Sequence, residues 1–305
     1  MYLQSYINSL IENNFKNNDK ILEIDLILDG GAFNGIYMLG ALFFLKELEK
    51  KNFIKIKRIS GCSIGALLGF LFILDRLDIG LYISNESFIY FRKYQNFKKI
   101  RKKIILLFHK HFQDFDFSKL NGKFYLTYFD TINSKQCIVK KYNSLKDVTD
   151  NLFKSMHVPF LVDGNTKYKN GAIDGAFPYI FKKRFTERKL LFINLQALNK
   201  LSKMIVIKKE ENLFTRLFEG VHECNQFFKT NKANSLLSYI DDWGLKDMML
   251  FRMRELIYVI LFYFFTLGLN IENIIPEKWK KNIILQQHLK ILKGLWREFI
   301  IYISI

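Results

Sequence analysis

Ile24 to Leu28 is apolar at every position but Asp25, and the run stops abruptly at Asp29-Gly30-Gly31. A short apolar run bounded by turn residues predicts a strand. From Ile36 the apolar positions recur at helical spacing through Leu48, so strand, glycine turn and helix follow one another. A second unit repeats the order: Lys55 to Ser60 alternates as a strand, Gly61 to Gly65 forms a turn, and Ile64 to Asp75 is an apolar helix. Two consecutive strand–helix units imply an α/β sandwich around a largely parallel sheet.

Further along, Phe124 to Phe129 and Gln136 to Lys140 predict two strands joined by a polar turn, Leu145 to Ser155 predicts a helix, and Leu190 to Leu195 another strand. After about residue 200 the pattern changes to long helical runs with few turn signals. The expected division is therefore an α/β domain over 1–200 and a helical carboxyl-terminal extension, packed on it, over 201–305. Within the extension, Leu256 to Leu269 is almost uninterrupted apolar sequence behind Arg252, Arg254 and Glu255. It falls short of the roughly 20 residues that span a bilayer, so a buried core helix is expected, with membrane-surface contact as the alternative. Asn282 to Ile303 sets Leu285, Leu289, Leu292 and Phe299 against Lys290 and Lys293, an amphipathic pattern that suits packing or a lipid interface.

Half of the 305 residues are hydrophobic, enough for a substantial core. A formal charge of +18, from 47 Lys and Arg against 29 Asp and Glu, favours anionic partners. Nucleic acid is not expected: zinc-finger spacing, an RNP-like aromatic pair and a single concentrated basic stripe are all missing. Three prolines amid abundant Lys, Asn, Ile and Phe equally fit an AT-rich coding sequence as the source of the basicity. Cys62, Cys137 and Cys224 have neither disulfide pairing nor metal-ligand spacing, which fits a reducing compartment. Met1 to Lys20 has no apolar core or cleavage site of a secretory leader, so an intracellular location, peripheral on membranes, is expected.

Ser63 stands at the centre of Gly61-Cys62-Ser63-Ile64-Gly65, between a predicted strand and a predicted helix. That context makes G-x-S-x-G a nucleophile elbow, with the serine lifted from the sheet and a helix amino terminus aimed at developing negative charge. Hydrolysis of an ester also needs donors for a tetrahedral oxyanion, and the glycine-rich turn from Asp29 to Gly35 offers successive N–H groups. A phosphate-binding loop is disfavoured, since G-x-x-x-x-G-K-[ST] is absent and G-x-G-x-x-G is not met.

The two loops together resemble the patatin-like phospholipase family, whose oxyanion loop reads D-G-G-G-x-[KR]-G and whose nucleophile reads G-x-S-x-G. The resemblance covers roughly residues 21 to 195. It implies a three-layer α/β sandwich around a mainly parallel sheet, a Ser-Asp dyad, acyl-ester substrates such as phospholipids, galactolipids or acylglycerols, and neither metal nor cofactor. Carried over, Gly30, Gly31 and Ala32 fall on the oxyanion glycines and Ser63 on the nucleophile. Ala32 replaces the third glycine, and Asn34 replaces the usual Lys or Arg, removing a positive charge. Ser155-Met156-His157-Val158-Pro159-Phe160 is similar to the family's stretch ahead of the loop that carries the aspartate.

The aspartate itself is the loosest match. Many family members place a proline eight residues after it, and counting back from Pro178 reaches Asn170, while a D-G-A tripeptide follows at Asp174-Gly175-Ala176. An amide cannot take the serine proton. Asp174 is therefore the expected base of a lipid acyl hydrolase cleaving fatty-acyl esters of glycerolipids at an anionic membrane surface. If the position has instead become Asn170, the chain is a catalytically weak lipid-binding or interaction protein. An ordinary Ser-His-Asp hydrolase would need His222 or His288, neither in a catalytic-loop context. His109 and His111 read as solvated surface, His157 as a residue orienting the approach, and Cys62 as packing.

Overall fold

The computed structural model describes residues 2–15, 21–94, 96–159, 161–165, 167–182, 188–204, 207, 210 and 212–274, with 282, 283, 286, 287, 291 and 294. Side chains at 170, 259 and 261–274 are outside this description. Helix α1 (Tyr2–Asn14) precedes β1 (Leu22–Leu28), which leads through α2 (Gly35–Lys50) to β2 (Ile54–Cys62). The two strands run parallel, with Leu28 opposite Gly61, so both glycine-containing turns leave the same edge of the sheet. Helix α3 (Ile64–Ile73) starts directly after the second turn, followed by α4 (Leu77–Tyr94) and α5 (Lys98–Phe112).

Strand β3 (Phe124–Asp130) lies parallel to β2, and β4 (Lys135–Val139) folds back antiparallel along it. After α6 (Leu145–Ser155) the two-residue β5 (Ala172–Ile173) pairs with the end of β3. Strand β6 (Lys189–Ile193) returns parallel to β1; α7 (Phe214–Thr230) then leads to β7 (Leu237–Tyr239), antiparallel on β6, and to α8 (Leu245–Ile274). The result is a mixed seven-stranded sheet of order β4-β3-β2-β1-β6-β7, with β5 off this path.

Alternation along the strands feeds two cores. Ile24, Leu26, Leu28, Leu191 and Ile193 point into the large cluster under α2, α3 and α7, while Ile27, Leu190 and Phe192 meet Phe251 of α8 on the other face. A sheet covered on both faces explains why β1 and β6 read as nearly continuous apolar runs. The predicted strands and helices in the first 195 residues start and stop within two residues of those observed.

Three differences stand out. Helices α4 and α5 were not anticipated: α5 buries Ile100, Ile104, Phe108 and Phe112 at every fourth position beneath a lysine-rich surface. The segment after residue 200 contributes an edge strand, β7, whose three residues are too few to reveal alternation. In α8, Leu256, Ile257 and Ile260 are 59%, 54% and 45% exposed rather than core, the described contacts with the domain coming from Phe251, Arg254 and Tyr258; the side chains of 261–269 are outside the described residues. Most of the amphipathic stretch at 282–303 is outside the described residues. Among the described residues, no helix is long and apolar enough to cross a membrane.

Candidate active site

Ser63 sits between the last residue of β2 and the first of α3, at φ 51° and ψ −127°. A non-glycine residue persists at such positive φ only where its surroundings over-determine it. They do so here. A Cβ on Gly61 would lie 2.6 Å from Gly65 O, and one on Gly65 would lie 2.5 Å from Asp29 O, so only glycines let the chain turn this tightly against the neighbouring loop. Ser155, buried at the end of α6, accepts the Ser63 N–H through its Oγ at 2.8 Å and fixes the turn from above.

The same residue helps place Asp174. Gly175 N–H donates to Ser155 O at 3.2 Å, Asp174 N–H donates to His157 O at 2.9 Å, and Oδ1 accepts Ala176 N–H at 2.9 Å. Burial pushes the Asp174 carboxyl up to about 6, with the nearby Ser63 hydroxyl and Ala176 N–H opposing it. Oδ2 is buried, and no hydrogen-bond partner reaches it among the described residues. The backbone of Asn170 lies in the tight turn Lys169–Gly171 ahead of β5; its side chain is outside the described residues.

The Asp29–Ala32 turn abuts the serine: a Cβ on Gly30 would lie 3.3 Å from Ser63 Cβ and 3.2 Å from Cys62 Sγ. Gly30 N–H is already given to Asp29 Oδ1 at 3.0 Å. No partner within the described residues takes the N–H of Gly31 or Ala32. Ala32 adopts φ 44°, the left-handed region its replaced glycine would enter freely. Asn34 is fully buried, its amide donating to Leu195 O at 2.9 Å and Lys200 O at 2.8 Å, and its Oδ1 accepts from Arg216 at 3.1 Å.

Two cations from remote elements reach this turn, each already paired with a carboxylate, Arg216 with Glu210 and Arg254 with Asp29. Besides Arg216, Arg254 of α8 reaches Asp29 Oδ2 at 2.9 Å and Oδ1 at 3.3 Å. Burial pushes the Asp29 carboxyl up and Arg254 holds it down. Tyr258, one turn along α8, donates to Gln196 Oε1 at 2.8 Å, and Gln196 Nε2 donates to Gly30 O at 2.9 Å. Arg254, Tyr258 and Ser155 all went unidentified in the sequence. Only Ser155 had a signal, at the head of the family-like segment.

From Ser63 a cleft extends beneath α4 and α5. Its walls are apolar, including Ile64, Leu67, Ile104, Phe153 and Leu161, with Ser84, Ser87 and Arg101 as the few polar contributions.

The histidines stand apart. His222 is exposed on α7 and His109 and His111 on α5, while His288 is outside the described residues. The ring of His157 is fully buried, burial lowering its pKa, and contacts Arg101 through Nδ1 at 3.3 Å; only its carbonyl touches the site. Burial pushes the Cys62 thiol far up, so it packs rather than reacts. Among the described residues, no group of three or more His, Cys, Asp or Glu could hold a metal ion.

No curated protein matches the chain. A family model described as Patatin-like phospholipase matches residues 26–187, more than half of the chain and both turns with Ser63 and Asp174. The protein thus belongs to the patatin-like phospholipase family, a family of lipid acyl hydrolases.

Proposed function

We propose that this chain is a serine acyl hydrolase that cleaves fatty-acyl esters of glycerolipids and phospholipids. Ser63 Oγ attacks the acyl carbonyl as its proton passes to Asp174, and the Gly31 and Ala32 N–H groups hold the oxyanion. Collapse breaks the bond to the glycerol oxygen, which takes the proton from Asp174 as it leaves. Water, giving its proton to the same carboxylate, then attacks the acyl-serine, and as the bond to Ser63 Oγ breaks, Asp174 returns the proton to it and the fatty acid leaves. The cleft beneath α4 and α5 takes the acyl chain. The observation that carries this reading is the strained Ser63 set beside a buried carboxyl at the end of an apolar cleft.

The purified protein should hydrolyse a dissolved short-chain ester. Ser63→Ala and Asp174→Asn should abolish turnover, and His222→Ala should leave it intact. A catalytically weak lipid-binding protein is the second reading, favoured by the engaged Gly30 N–H, which leaves two oxyanion donors rather than three. Turnover no greater than that of Ser63→Ala would support it.

A further inference from the structure

Eight Lys and Arg and no acidic residue lie between Glu86 and Asp114, a concentration along the chain that the fold turns into a surface. Because α5 points Ile100, Ile104 and Phe108 inward, Lys98, Lys99, Lys102 and Lys110 all face solvent. None of these four has a carboxylate partner among the described residues, whereas Lys103 is paired with Glu86 of α4. Arg92 and Lys93 add charge from the end of α4, and Lys93 and Lys99 both approach the Tyr94 ring at 5.3 Å.

Large apolar groups stand among these cations: Leu106 is 70% exposed, Ile89 63%, Tyr82 47% and Tyr94 41%. The inward side of the same two helices lines the cleft that begins at Ser63, and Ser84, Ser87 and Arg101 are its partly exposed rim. The same two helices therefore carry cations and interfacial side chains on one face and the cleft wall on the other.

We infer that the outer face of α4 and α5 docks on a lipid surface bearing anionic headgroups, setting the cleft against the layer that supplies its acyl chains. The choice of lipid rests on the acyl-hydrolase reading; the docking face rests on charge and exposure. Lysines near an anionic leaflet attract it, and Leu, Ile and Tyr enter the headgroup boundary, so both contributions act in the same direction. Nucleic acid would engage the cations but gain little from Leu106 and Ile89.

The test measures co-sedimentation of the full chain with phosphatidylcholine vesicles, with and without phosphatidylserine. It is done on Ser63→Ala protein, so the outcome does not depend on turnover, and hydrolysis of a dissolved ester by the unaltered chain tests the other reading separately. Binding should require phosphatidylserine and weaken with salt. Each surface lysine contributes about five-fold to binding, so Lys98→Gln, Lys99→Gln and Lys102→Gln together should weaken it on the order of 100-fold. Lys141→Gln, Lys146→Gln and Lys229→Gln, an equal charge change at exposed sites elsewhere, should lower it less than roughly ten-fold. Equal losses in the two triple variants, binding indifferent to phosphatidylserine, or binding to an oligonucleotide but not to vesicles would each overturn the proposal.

Discussion

Replacing Asp174 with asparagine should stabilise the protein while removing its activity, an unusual pairing that follows from burial of the carboxyl. Holding that group at about 6 instead of 3.8 corresponds to roughly 3 kcal/mol, at about 1.4 kcal/mol per pH unit. The sign follows from linkage: the folded chain keeps the proton that the unfolded chain has already lost. The group weakens the fold nowhere below pH 3.8, weakens it progressively up to pH 6, and carries the full penalty above. The substituted amide would carry no such charge, and its oxygen can still accept the Ala176 N–H that Asp174 Oδ1 takes at 2.9 Å. Urea unfolding of both proteins should thus give stabilities that coincide near pH 4 and diverge to roughly 3 kcal/mol in favour of the variant at pH 7.5. Ester turnover, needing a base an amide cannot supply, should vanish in the variant at every pH. A gap independent of pH, or a variant less stable than the parent at pH 7.5, would refute the burial argument.

Arg254→Ala leaves the buried Asp29 carboxylate without its cation, so the fold should lose roughly 3 kcal/mol and kcat should fall more than KM rises as the turn loosens. Arg254→Lys should recover only part, since one ammonium does not span both carboxylate oxygens; full recovery in kinetic and unfolding measurements would show that charge alone matters. Ala32→Gly relieves a left-handed conformation at φ 44° and should raise stability by about 1 kcal/mol in thermal unfolding, while a loss would mean the Ala32 methyl contributes packing. Ser87→Trp projects a ring into the cleft and should reduce kcat/KM for a long-chain ester by at least roughly ten-fold while sparing a short-chain one. Equal losses on both would place the acyl chain elsewhere.

The parts of this fold legible in the sequence are those whose signal is local. A bounded apolar run at Ile24–Leu28 and a glycine turn on either side of Ser63 were enough to place β1, β2 and α3, because the turn geometry admits only those residues. Helix α5 was missed because its buried positions are diluted by lysines and histidines that look like solvated sequence until the four-residue spacing is followed. The eight Lys and Arg between Glu86 and Asp114 also correct the expectation that the chain has no concentrated basic stripe, since the fold gathers them on α4 and α5. In α8 the apolar content suggested burial, yet among the described side chains Phe251, Arg254 and Tyr258 meet the domain while Leu256 and Ile257 stay exposed.

Long-range partners were the least legible. Arg254 meets Asp29 across 225 positions of sequence, and Tyr258 reaches the same turn only through Gln196. Ser155 holds the Ser63 N–H from 92 residues away. No spacing rule connects such pairs, since each depends on how layers of the sandwich stack. A charged residue ahead of an apolar run, as Arg254 is, reads equally well as a solvated flank.

The central claim is that Ser63 is a nucleophile activated by Asp174. A fluorophosphonate probe, which reacts covalently with an activated serine hydroxyl, tests it directly when the labelled peptide is located by mass spectrometry. Label should appear on Ser63 alone, its rate should rise about ten-fold per pH unit up to pH 6 and level off above, and Asp174→Asn should lose it. Label on another residue, or labelling of Ser63 undiminished in Asp174→Asn, would contradict the account.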